Sequence, residues 1–224
     1  MKFPIKNITP KEAVQQQNEI RDKLVISGMP EGIRLVAGVD VAYSQKPLTG
    51  FSAISVFRFP ELEYIKTYQE IDLIGYPYIP GLLGFREGPL ILDTLAKVEE
   101  KIDLFLFDGH GIAHPRGVGI AAQLGFLLDK PAIGVAKHKL TGTYKEIGTQ
   151  KGATSALIDE AEKTIGFALR TRNNTNPVFV SPGYKIGMNE SIQLVMQCTT
   201  QYRIPEPLRK ADQEAERYKN EGDI

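Results

Sequence analysis

Two aspartates in this chain interrupt or end apolar, strand-like runs, a position in which a carboxylate needs a chemical reason to be. In Leu104-Phe105-Leu106-Phe107-Asp108-Gly109-His110-Gly111-Ile112-Ala113-His114-Pro115-Arg116, the apolar stretch stops abruptly at a carboxylate, followed by glycines, imidazoles and a guanidinium. In Arg34-Leu35-Val36-Ala37-Gly38-Val39-Asp40-Val41-Ala42-Tyr43, Asp40 stands inside an apolar context. An unpaired carboxylate there is costly to desolvate. Two such acids that share a divalent metal ion each gain a reason to sit at low exposure. Runs that stop at Asp-Gly read as core strands of an open α/β sheet, beyond whose ends ligands gather, although Asp-Gly is also an ordinary turn signal. Glu87 adds a third carboxylate at the expected start of a helix, where the dipole tolerates negative charge.

Other motif readings of the same letters fail. Gly109-His110-Gly111 begins a dinucleotide-type pattern, but His114 replaces the third glycine and Pro115 follows at once, so no dinucleotide cofactor is expected. His110 and His114 have the spacing of a zinc-protease helix, yet glycines surround them and no Glu follows His110. His138 reads as a solvated or capping residue. The loop Gly75-Tyr76-Pro77-Tyr78-Ile79-Pro80-Gly81-Leu82-Leu83-Gly84 holds an aromatic rigidly between two prolines and glycine-permitted bends. It reads either as a surface turn or as a wedge, since proteins that open duplexes push such side chains between base steps.

The elements that must position these groups follow from capping and periodicity. Thr9-Pro10-Lys11-Glu12 has the capping-box form and predicts a helix from Pro10 to about Ile26, stopped by Gly28, Pro30 and Gly32. Strands are expected near 34–42, 51–59 and 63–72, with breaks short enough for antiparallel hairpins. A helix over 87–101, a strand over 104–107, a helix over 119–128 and a strand over 132–136 then imply parallel crossovers. Segments 165–172 and 178–180 are expected to add strands, and 190–199 a helix. That order predicts a mixed ribonuclease H-like sheet, three antiparallel strands then parallel ones, flanked by helices. The first and fourth strands are neighbours in it, and Asp40 and Asp108 lie side by side.

Composition bounds the rest. At 224 residues and 42% hydrophobic content, the chain is expected to form a single domain over 1–224. Lys+Arg and Asp+Glu both number 27, so net charge does not announce a partner, although Lys130, Lys137, Lys139, Lys145 and Lys151 cluster locally. One cysteine excludes an intramolecular disulfide and a cysteine-rich zinc site. Met1-Lys2-Phe3-Pro4 lacks an apolar signal region, and no apolar run approaches the roughly 20 residues that span a bilayer, so a cytoplasmic protein without membrane contact is expected.

Asp40-Val41-Ala42-Tyr43, Pro77-Tyr78-Ile79-Pro80-Gly81 with Phe85-Arg86-Glu87, Asp108-Gly109-His110-Gly111 with His114-Pro115-Arg116, Gly134-Val135-Ala136-Lys137, and Arg203-Ile204-Pro205-Glu206-Pro207-Leu208-Arg209-Lys210-Ala211-Asp212 together resemble the endonuclease V family. The resemblance runs in order over about residues 10 to 215. It implies a ribonuclease H-like fold and a Mg²⁺-dependent nuclease, with Mn²⁺ a substitute. Such enzymes recognise deaminated bases in DNA, chiefly deoxyinosine, and cut the second phosphodiester bond 3′ to the lesion, leaving the base in place. Carried over by position, the resemblance makes Asp40 and Asp108 direct metal ligands, with Glu87 and Asp212 supporting through water. It makes Lys137 a group that neutralises the phosphate or orients the attacking water, and His114 with Arg116 phosphate contacts. Tyr78, framed by Pro77, Ile79 and Pro80, matches the wedge, and Gly81, Leu83, Gly109, Ile120 and Leu140 match the seat of the damaged base. Gly84 stands where the family often has serine, and Asp212 where some relatives carry histidine.

Two other functions use many of the same residues. A silent inosine-binding module needs the wedge and base seat but not Asp40, Glu87 and Asp108 together. An endoribonuclease acting on inosine-containing RNA keeps every residue named, because the scissile phosphodiester is common to both polymers.

Overall fold

A computed structural model describes residues 5–45 and 47–222. In chain order the elements are α1 (Pro10–Arg21), β1 (Leu35–Gln45), β2 (Leu48–Arg58), β3 (Tyr64–Leu73), α2 (Leu83–Leu95), β4 (Leu104–Phe107), α3 (Ile120–Leu128) and β5 (Ala132–Ala136), then β6 (Thr154–Ile158), β7 (Thr164–Leu169), β8 (Val178–Tyr184), α4 (Met188–Gln197) and α5 (Glu206–Gly222). The strands form one eight-stranded sheet in the order β3-β2-β1-β4-β5-β8-β7-β6. The first and fourth strands are therefore neighbours, as the topology required. β1 and β4 pair in parallel with Val39 opposite Phe107, and the Asp108 N–H donates to the Val39 carbonyl at 3.1 Å. Beyond β5 the sheet turns antiparallel again through β8, β7 and β6.

Strand periodicity sorts the core into two layers. Phe105 and Phe107 face Phe85, Leu90, Ile91, Ile120 and Leu124 of α2 and α3. Leu104 and Leu106 face Leu194, Val195 and Leu208 of α4 and α5. The same alternation in β1 sends Ala37, Val39 and Val41 toward α2, and Val36 and Ala42 toward the opposite face.

Several boundaries differ from the sequence expectation. The capping box of α1 forms, but the helix ends at Arg21 rather than near Ile26. The chain leaves it because the carbonyls of Val25 and Gly28 accept hydrogen bonds from the N–H groups of Lys185 and Gly187. α2 spans Leu83–Leu95 rather than 87–101, which puts Glu87 in its second turn and removes the first-turn dipole rationale. Its N-cap, Leu82, makes no side-chain cap, so no capping letter marked the start. β2 begins at Leu48, inside the segment expected to be a break. β6 and α5 were not anticipated.

Gly38 sets how closely α5 approaches the sheet. A Cβ there would lie 2.1 Å from the backbone of Pro207 and 2.5 Å from the Leu208 nitrogen, atoms that cannot swing aside. Gly38→Ala is therefore expected to push α5, with Asp212, off β1. Overpacking of this kind costs about 1 to 3 kcal/mol. A lowered urea midpoint is the expected outcome, and an unchanged midpoint would show that α5 has slack.

Candidate active site

Asp40 in β1, Asp108 immediately after β4 and Asp212 in α5 place carboxylate oxygens within 4.8 Å of one another. Topology explains the convergence. Pairing of β1 with β4 brings Asp40 beside Asp108, and Asp40 shares the strand parity of Val36 and Ala42, whose face is covered by α5. Lys137, just past β5, bridges two of the acids, with Nζ 2.8 Å from Asp108 and 2.7 Å from Asp212. Burial alone would lower the Lys137 pKa, but Asp108, Asp212 and Asp40 outweigh it and hold the ammonium firmly charged.

Glu87 lies apart from this trio. It reaches the strand ends from α2, on the face opposite α5, and its Oε1 accepts a hydrogen bond from the Tyr43 hydroxyl at 2.7 Å. Among the described residues it is thus Asp212 rather than Glu87 that completes the carboxylate cluster. Burial pushes the Glu87 carboxyl up to about 7; the Tyr43 hydrogen bond opposes the shift and the charge of Asp108 adds to it. Asp40 is raised well above the ordinary carboxylate range, first by burial and then by Asp108. Acids held so close, with one lysine among them, leave excess negative charge that a divalent cation would neutralise. An all-oxygen donor set without Cys or His fits a hard ion.

Beside the acids lies a largely apolar cavity of about 150 Å³. All five residues expected to receive the base line it: Gly81, Leu83, Gly109, Ile120 and Leu140. Tyr78, Ile79 and Pro80 form its lip, and Tyr78 is 72% exposed, more than the other large hydrophobic residues among those described. A tyrosine packed on the core would be covered, so Tyr78 does not serve to pack this loop onto the core.

The loop is held from below by one carbonyl. Gly81 O accepts from Gln17 Nε2 at 2.9 Å, His114 Nε2 at 3.0 Å and Arg116 Nη2 at 2.7 Å. Gly81 has φ +81°, and a Cβ would meet the Arg116 guanidinium at 2.5 Å, so glycine is required there. The second nitrogen of His114 accepts from the Arg116 N–H, which fixes the neutral tautomer, and burial, aided by Arg116, lowers its pKa to about 4. His114 and Arg116 were expected to touch phosphate. In the structure both also bond the Gly81 carbonyl at the base of the 75–84 loop. His110 lines the cavity and bonds the carbonyl of His138.

Sequence reasoning missed Tyr43 and Gln17 as supports. The signal for Tyr43 was its odd-numbered place in β1, which turns it toward α2 and Glu87. Gln17 had no signal beyond being a polar residue on the buried side of α1.

A family profile described as Endonuclease V matches residues 15–213. An Endonuclease V of a Nostoc species is 44% identical over 206 residues, covering 92% of this chain and 93% of that protein. The crystal structure of an Endonuclease V from Streptomyces avermitilis superposes with a TM-score of 0.92 at 35% identity, covering 99% of this chain and 98% of the other. Endonuclease V from Ciona intestinalis, solved in complex with a 24mer DNA containing an inosine followed by a ribo-adenosine, superposes with a TM-score of 0.82 at 26% identity, covering 94% and 98%.

Proposed function

This chain belongs to the endonuclease V family, and from that premise we propose that it hydrolyses the second phosphodiester bond 3′ to deoxyinosine in DNA, leaving the lesion in the nicked strand. The observation that supports the reading best is the adjacency of its two halves. Asp108 belongs to the acid cluster and the next residue, Gly109, lines the cavity. A base seated in that cavity therefore has its own strand beside the carboxylates.

Asp40 and Asp108, with Asp212 beside them, would hold a divalent ion, Mg²⁺ by preference and Mn²⁺ as a substitute. Such an ion supplies charge to the scissile phosphate and lowers the pKa of water. Lys137 keeps its ammonium between Asp108 and Asp212, in position to meet a phosphate oxygen or orient the attacking water. Tyr78 fills the gap left in the stack when the base turns out. Hypoxanthine offers O6 as acceptor and N1–H as donor, whereas adenine reverses both, so polar groups in the seat that match the first would leave the second facing like partners.

A second reading, cleavage beside inosine in RNA, is favoured by one observation: the Ciona relative was captured on a strand with a ribonucleotide after the inosine. Matched DNA and RNA strands carrying one inosine, incubated with Mg²⁺ or EDTA, separate the two. The expected result is metal-dependent nicking of the DNA strand two phosphates along on the 3′ side. A freed hypoxanthine, or a nick at the lesion itself, would refute the proposed reaction.

Tyr78→Ala should weaken binding to inosine in duplex DNA by on the order of 1 to 3 kcal/mol, and binding to a single strand by less, since no stack is opened there. Fluorescence anisotropy on both substrates measures this. Equal losses would indicate that the tyrosine packs rather than wedges.

A further inference from the structure

The guanidinium of Arg86 touches both halves of the site. Its Nη1 donates to the carbonyl of Tyr76 in the wedge loop at 2.9 Å. Its carbon lies 6.0 Å from the ring centre of Tyr78 and 5.2 Å from that of Tyr43. Tyr43 in turn donates its hydroxyl to Glu87, the residue after Arg86 on α2. A single cation is thus shared between the exposed ring of the wedge, at the outer limit of a cation–π contact, and the half-buried ring that fixes a carboxylate behind the acid cluster. Moving Tyr78 into a base stack withdraws one of the two aromatic faces. The guanidinium then has one face left, that of Tyr43.

We propose that Arg86 is a positioning residue that makes cleavage depend on engagement of Tyr78, by passing the displacement of the wedge to the Tyr43–Glu87 pair. The inference rests on the nuclease reading above. It differs from a purely structural role in what it couples. Arg86 tied only to the loop would change affinity, and Arg86 tied only to Glu87 would act the same whether or not the wedge is present. Arg86 tied to both makes the effects of removing Tyr78 and Arg86 interdependent.

The test is a double-mutant cycle on single-turnover cleavage of duplex deoxyinosine DNA at saturating enzyme, with affinities measured separately in Ca²⁺. Arg86→Gln is expected to lower the saturated rate about tenfold, the scale of a cation–π contact, while changing Kd less than about threefold. Tyr78→Ala should then lower that rate less in the Arg86→Gln background than in the wild type. Multiplicative losses, or a defect confined to Kd, overturn the proposal. If circular dichroism shows that the Gln variant unfolds, Arg86→Lys carries the same cycle, because it keeps the cation and loses the planar fork. Non-multiplicative losses with Tyr78→Ala support the proposal there too, and multiplicative ones overturn it. Failure of the wild-type protein itself to nick the substrate would overturn the nuclease reading, and this inference with it.

Discussion

Asp40→Ala and Asp108→Ala are each expected to abolish nicking of a deoxyinosine strand in Mg²⁺ while inosine binding stays measurable. Each substitution removes a ligand atom from the carboxylate cluster and leaves the lining of the base cavity intact. Loss of several kcal/mol of charge stabilisation corresponds to a rate reduction of about a thousandfold or more. Gel mapping of a labelled duplex reports cleavage, and anisotropy in Ca²⁺ reports binding. The wild-type protein should likewise bind but scarcely cut in Ca²⁺, whose looser coordination does not hold water and phosphate in a fixed geometry. Near wild-type nicking by either alanine variant would remove the metal assignment.

The raised carboxylates predict a steep pH dependence with a definite sign. Glu87 is protonated below about 7 in the metal-free protein, and Asp40 is shifted in the same direction. Ion binding among Asp40, Asp108 and Asp212 competes with the Asp40 proton and, through its positive charge, with the Glu87 proton behind the cluster, so the Mg²⁺ concentration for half-maximal cleavage should rise as pH falls below about 7. Saturating Mg²⁺ should move the acidic limb of the rate profile to lower pH, and a limb that ignores Mg²⁺ concentration would contradict the assignment. Stability follows the opposite course in the absence of ion. Between the ordinary glutamate value of 4.5 and about 7 the folded state holds a proton that the unfolded chain has released. The metal-free protein therefore loses stability as pH rises through that window, by about 3 kcal/mol from Glu87 alone. Glu87→Gln should accordingly melt higher than the wild type in EDTA at pH 8, while cutting more slowly with Mg²⁺ present.

The sheet centre was legible because its physics is local. β4 and β5 are short, wholly buried runs, and their ends were placed to the residue. Adjacency of β1 and β4 followed from the order of hairpins and crossovers, and with it the pairing of Asp40 and Asp108. α5 was hidden because it is a strongly polar helix whose burial rests on a narrow stripe, Leu208, Ala211 and Ala215. Those residues carry too little apolar contrast to announce a helix among so many charges. The stripe is nonetheless what delivers Asp212, so the third acid of the cluster could be named from family position but not from pattern. Glu87 shows the converse. Its type was read correctly, but its partner is a tyrosine from another element, Tyr43, which only the folded chain brings near.

Because Asp108 and Gly109 are consecutive, and Lys137 and Leu140 only three residues apart, the spacing between the charged cluster and the cavity is written into covalent backbone at about 3.8 Å per residue. Both segments spring from β4 and β5, paired strands in the middle of the sheet. On the proposed reading this chain carries a rigid ruler, and the distance from lesion to cut is a graduation on it. Altering the cavity walls should then change which base is accepted without moving the mark. A residue inserted between Asp108 and Gly109 would shift the scale itself.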